Sequence, residues 1–306
     1  MRRPIYVVDS FSSAAFGGNP AGVLLGGADL TDAQLAKIAA EMRHSETAFV
    51  LPARDPAASF HLRWLTPKAE VPFCGHATLA AIAVMAEEAQ RLRVPESGTA
   101  KFSFSSRAGL LRAELSRDLS RKLRIRFETP KSAFEATPVS ERMLSALGLI
   151  SEVLDPSFLP RRAVQSASSE GNLYLCLRSR DDLARARCDP AALQDALGEA
   201  KAGGAVLFVR APDEGIDAAV RCFFPDQLDG SGEDPVTGSA AGQLACLMQE
   251  VQPELLPRSL VFTQGNELGR PGRVEIEVRP ELTPGDIRAW IGGAFTVVLR
   301  GELDLR

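Results

Sequence analysis

The sequence predicts an α+β protein of two pseudo-repeated αβ halves, each a mostly antiparallel, barrel-like sheet around one central helix. Three observations predict it. Strand signals are frequent along the 306 residues, and most of their connections read as antiparallel. Only one long helix per half is apolar enough to be fully enclosed, in Val71–Ala83 (VPFCGHATLAAIA) and in Asp234–Ala245 (DPVTGSAAGQLA). The order strand, proline, loop, glycine turn, helix, strand, glycine, strand runs from Phe60 to Leu115 and again from Ala218 to Val278. The register of this repeat is open by two residues. Gly75 falls against Gly238, or Cys74–Thr78 falls against Pro235–Ser239.

The elements follow in order. Ile5–Phe11 reads as a strand, and Phe16-Gly17-Gly18-Asn19-Pro20-Ala21-Gly22 as a glycine-rich turn before a strand at Val23–Leu25. Leu30–Glu41 is an amphipathic helix with Thr31 or Asp29 as N-cap and Leu35, Ile38 and Ala39 on one face. Ser45–Leu51 and Phe60–Leu65 are strands, and the first enclosed helix runs from about His76 to Gln90. Lys101–Ser105 and Leu110–Leu115 form a hairpin, and Leu123–Phe127 one more strand. Thr129-Pro130 to Thr137-Pro138 marks a domain crossing. Beyond it, Ser140–Leu147 and Pro190–Leu197 read as helices, and Gly171–Leu177, Ala205–Val209 and Ala218–Phe224 as strands. The second glycine-turn helix is followed by strands at Ser259–Thr263 and Arg273–Val278, and Ala289–Arg300 is a closing strand pair or one bulged strand.

Composition narrows the function classes. With 45% hydrophobic and 24% charged residues and a net charge of −4, the chain carries no basic field for nucleic acid. Arg121-Lys122-Leu123-Arg124-Ile125-Arg126 alternates along a strand and reads as a solvated face. Five cysteines without CxxC spacing argue against a disulfide framework and against a zinc site. Met1-Arg2-Arg3 leads straight into a strand-like IYVVDSF, and no run approaches the ~18 apolar residues that a membrane helix needs. The expectation is a cytoplasmic protein with no membrane and no nucleic-acid partner.

A glycine turn that opens a buried helix presents backbone N–H groups and the positive end of the helix dipole, a seat for a carboxylate. Two such seats in one chain predict one small anionic ligand held by both halves. Of three histidines, His61 reads as structural or exposed and His44 as a surface residue, whereas His76 stands at the mouth of the first enclosed helix. A helix N-terminus there suits a neutral imidazole. Cys74, two residues earlier, is either activated by that terminus or packed. Glu46 is either solvated or turned inward, where partial desolvation suits a general base for a carbon-bound proton. Asp234 and Ser239 are either caps of the second helix or ligand contacts, with Gly238 between them. The sequence has no GxGxxG after a strand, P-loop, HExxH or GxSxG, which fits cofactor-free chemistry.

Four motifs then occur in order. They are Asp9-Ser10-Phe11 with Gly17–Val23, Ser45-Glu46-Thr47-Ala48-Phe49, Phe73–Ala80, and Gly232–Ala240, with Thr263-Gln264-Gly265 after them. Over essentially the whole chain this resembles the PhzF, or phenazine-biosynthesis-like, isomerase family. The resemblance implies the diaminopimelate-epimerase fold, residues 1–128 with about 288–306 as one half and 129–287 as the other, an active site in the cleft, and a homodimer. It implies Glu46 as the acid/base, with Gly75, His76, Asp234, Gly238 and Ser239 on the substrate, and Asn19, Cys74 and Thr237 as further candidates. Related racemases carry a catalytic cysteine in each glycine turn. Cys74 matches the first, and Pro235 stands in the second place.

The expected activity is a cofactor-independent isomerase, without metal, that shifts a proton between carbons of a small carboxylate-bearing, cyclic amino acid-like substrate. The alternatives are an amino-acid racemase or epimerase that uses Cys74, and a non-catalytic metabolite-binding protein on the same fold. Specificity is expected in the loops Ala53–Ser59, Arg161–Asn172 and Asp226–Gly232.

Overall fold

Alternating apolar residues and proline- or glycine-marked turns resolve into strands through most of the chain. A computed structural model describes residues 2–53, 55–165, 171–213, 215–227, 229–251, 259–281, 283 and 286–305. Residues 54, 166–170 and 228, which fall in the three loops expected to set specificity, lie outside the described residues. The fold is α+β with mostly antiparallel pairing, and the backbone divides into two units, 1–129 with 290–306, and 130–289.

The first unit contains β1 (Arg2–Ser10), β2 (Asn19–Leu25), α1 (Asp32–Met42), β3 (Thr47–Pro52), β4 (Phe60–Leu65), the two-residue β5 (Glu70–Val71), α2 (Gly75–Ala83), β6 (Thr99–Ser106), β7 (Gly109–Arg117) and β8 (Leu123–Glu128). The second contains β9 (Ser132–Ala136), α3 (Glu141–Ala146), β10 (Arg161–Gln165), β11 (Gly171–Cys176), α4 (Arg180–Arg185), α5 (Pro190–Ala200), β12 (Ala202–Asp213), β13 (Ile216–Phe223), β14 (Glu233–Asp234), α6 (Gly238–Val251), β15 (Ser259–Gln264) and β16 (Gly272–Pro280). The chain returns to the first unit within β17 (Ile287–Gly292) and ends in β18 (Phe295–Asp304), which lies antiparallel to β1.

Both units are wired alike. In the first, β1 pairs antiparallel with β2, β2 parallel with β3 and β3 antiparallel with β4, and β4 pairs antiparallel with β5 and parallel with β6. In the second, β10–β11, β11–β12, β12–β13, β13–β14 and β13–β15 repeat that series of senses. Each parallel step needs a crossover, which supplies α1 and α2 in one unit, and α4 with α5 and then α6 in the other. α2 is buried at all nine positions, as its run of alanines and aliphatics requires. α1 turns Leu35, Ile38 and Ala39 onto the sheet. Thr31 and Gln34 close its N-terminus as a capping box. Among the described residues no helix is long and apolar enough to cross a membrane.

The ladders settle the repeat. Leu65 faces Glu70 and Trp64 faces Val71, while Phe223 faces Glu233 and Cys222 faces Asp234. Gly75 lies five positions after Glu70 and Gly238 five after Glu233, so Gly75 matches Gly238 and His76 matches Ser239. The counterpart of Cys74 is therefore Thr237. This corrects the expectation that Pro235 holds the second cysteine place; Pro235 matches Pro72.

Some elements depart from the sequence reading. The stretch read as a crossing contains β9, a short and largely exposed strand with little periodicity to announce it. α4 buries only Leu183, and β5 and β14 are two residues each, too short to carry a pattern.

Candidate active site

In the first unit, Arg63 of β4 grips Glu70 of β5 with two hydrogen bonds, Nε to Oε1 at 2.9 Å and a terminal nitrogen to Oε2 at 2.7 Å. Phe73 lies edge-on to the buried Trp64, with ring centroids 5.8 Å apart. These contacts deliver the chain to Cys74, the N-cap of α2. Its backbone is extended (φ −144°, ψ 119°) and its side chain makes no cap hydrogen bond.

His76, in the first turn of α2, is buried and touched on both ring edges. Asn19 Nδ2 lies 3.3 Å and Cys74 Sγ 3.5 Å from Nδ1, while Glu46 Oε2 lies 3.3 Å and Ser45 Oγ 3.4 Å from Nε2. The backbone carbonyl of His76 accepts from Ser10 Oγ at 2.7 Å. Taking the Asn19 amide as the donor to Nδ1 assigns the ring proton to Nε2, the edge that Glu46 and Ser45 approach. The carbonyl of Glu46 accepts from Gly22 N at 3.2 Å, which fixes the residue at the entry to β3.

Burial, and secondarily the charge of His44, push His76 down to about 3. The imidazole is thus neutral at ordinary pH, and its 3.3 Å contact with Glu46 is not an ion pair. The sign for stability follows. The folded ring binds a proton far less readily than the unfolded one, so between about pH 6.5 and 3 the unfolded state takes up more protons, and stability falls as pH falls. The slope reaches about 1.4 kcal/mol per pH unit. Urea midpoints at pH 7 and 4.5 are expected to differ more for the wild type than for His76→Gln, and equal differences would refute the assignment.

Ligand atoms of Glu46, Cys74 and His76 lie within 4.8 Å of one another. The closest contacts fall on different ring nitrogens, Cys74 on Nδ1 and Glu46 on Nε2.

In the second unit the same clasp recurs at matching ladder positions. Arg221 of β13 binds Glu233 of β14 through Nε at 2.8 Å and a terminal nitrogen at 2.6 Å. The other terminal nitrogen donates to the carbonyls of Leu183 (2.8 Å) and Ala186 (2.9 Å) at the end of α4. The turn beyond holds Asp234, buried, whose Oδ2 accepts from Thr237 Oγ1 at 2.5 Å. Gly238 opens α6 and Ser239 sits half-buried in its first turn.

Structure thus brings Asn19, Glu46, Cys74, Gly75 and His76 together in one unit, and Asp234, Thr237, Gly238 and Ser239 together in the other. His61 stands apart, with Nδ1 2.9 Å from Ser105 Oγ. His44, read as a surface residue, is half-buried and acts on His76 electrostatically. Sequence reasoning missed Ser10, Ser45 and both clasps. The clasps left no shared spacing to find, since Arg63 precedes Glu70 by seven residues and Arg221 precedes Glu233 by twelve.

The counterpart of Glu46 is also defined. Phe49 faces Arg63 in one unit and Leu207 faces Arg221 in the other, so three residues earlier Glu46 matches Gly204. A Cβ at Gly204 would lie 2.3 Å from the Phe224 ring. The second unit therefore offers no carboxylate at that place.

Comparison with known proteins agrees with this architecture. The family model described as phenazine biosynthesis-like protein matches residues 8–301. An uncharacterized isomerase of Clostridium acetobutylicum is 30% identical, with 98% of each chain covered. The uncharacterized isomerase YddE of Salmonella typhimurium is 32% identical, with 91% of each covered. A crystal structure of a Bacillus anthracis phenazine biosynthesis protein of the PhzF family superposes with a TM-score of 0.86 over 100% of both chains, at 23% identity, and so shares the fold.

Proposed function

The chain belongs to the phenazine biosynthesis-like, or PhzF, family and is an isomerase, and from that premise we propose that it moves one proton between carbons of a small carboxylate-bearing, cyclic amino acid-like substrate, with Glu46 as the acid/base. The observation that carries this reading is the 3.3 Å contact between the Glu46 carboxylate and Nε2 of a neutral, buried His76. That contact sets the carboxylate beside the first turn of α2 without giving it a counter-charge. Glu46 takes the proton from an activated C–H bond, and the electron pair left behind delocalises into the substrate. The same carboxyl group then returns the proton at another carbon, on the same face.

A single base is favoured by the second unit, where Gly204 stands in the place of Glu46 and Thr237 in the place of Cys74. The uncapped first turn of α2, with Gly75 and His76, is assigned to the substrate's negative charge. Asp234, Gly238 and Ser239 are assigned to its remaining polar groups. No cofactor or metal is required for these steps. A cytoplasmic homodimer is the expected form of the protein, and sedimentation would read its stoichiometry.

One observation favours a second reading. Cys74 Sγ lies 3.5 Å from His76 Nδ1, close enough for the thiol to share a proton with the ring. That geometry suits a racemase or epimerase in which Cys74 is one of two bases.

The test is NMR in deuterated water with a panel of small cyclic and acyclic amino acids. Deuterium entering a carbon position with the wild type, and not with Glu46→Gln, is the expected result. Exchange at Cα that survives Glu46→Gln and vanishes with Cys74→Ser would establish the epimerase instead. Saturable binding without exchange for any compound would leave a metabolite-binding protein.

A further inference from the structure

The Thr263-Gln264-Gly265 segment has no role in the proposed reaction, yet Gln264 is only 4% exposed and its amide reaches three points of the second glycine turn. Oε1 accepts from Thr237 N at 3.0 Å, and Nε2 donates to Asp234 O at 2.8 Å and to Thr237 Oγ1 at 3.3 Å. With that donor on its oxygen, the Thr237 hydroxyl gives its own proton to Asp234 Oδ2. Gly265 fixes the arrangement from behind. At φ +87°, a Cβ there would lie 2.6 Å from the Pro235 carbonyl and 2.4 Å from that of Arg270.

Thr237 occupies the N-cap place of α6, where a threonine ordinarily accepts from the first-turn N–H groups. Elsewhere this chain uses its hydroxyls that way. Thr31, Ser140 and Ser179 cap α1, α3 and α4. Among the described residues, Thr237 makes no such bond to α6; its hydroxyl is spent on Asp234 and Gln264. In the first unit the position of Gln264 is held by Ser106, which bonds locally to Gly109 O. No clasp is needed there, because the N-cap is Cys74, whose thiol is a weak acceptor.

We propose that Gln264 is a positioning residue that holds the Thr237 hydroxyl on Asp234 and so keeps the first-turn N–H groups of α6 available to an anionic group of the substrate. The inference rests on the reading that Gly238 and Ser239 bind the substrate. It predicts that removing Gln264 harms anion binding through a released Thr237 that caps the helix, a loss that removing the Thr237 hydroxyl reverses.

Acetate is the probe, titrated into 15N-labelled protein and read at the amides of Gly238, Ser239 and Ala240. The wild type is expected to shift saturably. Gln264→Met is expected to fold and to bind acetate about tenfold more weakly. Adding Thr237→Val to Gln264→Met removes the capping hydroxyl, and affinity is expected to return to within about threefold of the wild type. Gln264→Asn, whose shorter amide cannot span Asp234 and Thr237, gives the same loss and carries the test if the methionine variant does not fold. Undiminished acetate affinity in a folded Gln264 variant overturns the positioning role and leaves the anion seat standing. No response in the wild type overturns the seat, and the role with it. A lowered midpoint without rescue by Thr237→Val, or failure of both variants to fold, overturns it in favour of a purely structural glutamine.

Discussion

Glu46→Gln is expected to retain the fold and lose about 10²–10⁴-fold in turnover, the range that a positioned acid/base contributes. Glutamine matches the shape of glutamate and keeps a polar group beside His76 Nε2. The backbone bond from Gly22 N to the residue-46 carbonyl does not involve the side chain. What is lost is the capacity to take up a proton. With one base serving both removal and return, neither half of the proton shift survives, which corresponds to about 3–5 kcal/mol of barrier. Ser45→Ala is the matched control. It removes a neighbour 3.4 Å from the same ring nitrogen and is expected to change turnover by less than about tenfold. A Glu46→Gln enzyme within about threefold of wild-type turnover would remove Glu46 from the acid/base role. The substitution leaves thermal stability as the internal check, because a parallel fall in melting temperature would assign the loss to folding.

The residues of the candidate site are legible in the sequence because their signals are local. A glycine turn running into an alanine-rich segment announces α2 and α6 within a dozen residues, and His76 and Ser239 stand out as polar residues at the start of apolar runs. The α+β class is legible for the same reason, since alternation and turn residues are short-range features. What the sequence does not carry is pairing. β5 and β14 are two residues long, so the ladders that set Gly75 against Gly238 have no periodicity to reveal them. The tautomer of His76 depends on Asn19, 57 residues away, and the orientation of Thr237 depends on Gln264, 27 residues away. Only the fold brings these groups within hydrogen-bonding reach.

The matched clasps allow one substitution to be tried in two settings. Glu233→Gln is expected to cost about 3–5 kcal/mol of stability, as breaking a buried pair does, whereas Glu70→Gln is expected to cost about 1 kcal/mol. The side chains of Arg221 and Glu233 are 4% and 6% exposed, and among the described residues Glu233 is the only carboxylate bonded to that guanidinium. Its loss strands a buried positive charge among backbone carbonyls. Arg63 and Glu70 are 14% and 16% exposed, and Arg63 also reaches Asp32 Oδ1 at 2.6 Å, so its charge keeps a partner and some water. Both carboxylates hold Arg63 above the ordinary arginine range, Glu70 most strongly. Urea unfolding of the two variants measures the difference. The joint replacement Arg221→Met with Glu233→Met is expected to recover most of what Glu233→Gln loses, because it removes the stranded charge together with its partner. Equal losses at Glu70 and Glu233 would show that burial does not set the penalty. A joint variant as unstable as Glu233→Gln would show that the clasp holds β14 by its hydrogen-bond geometry and not by balancing charge.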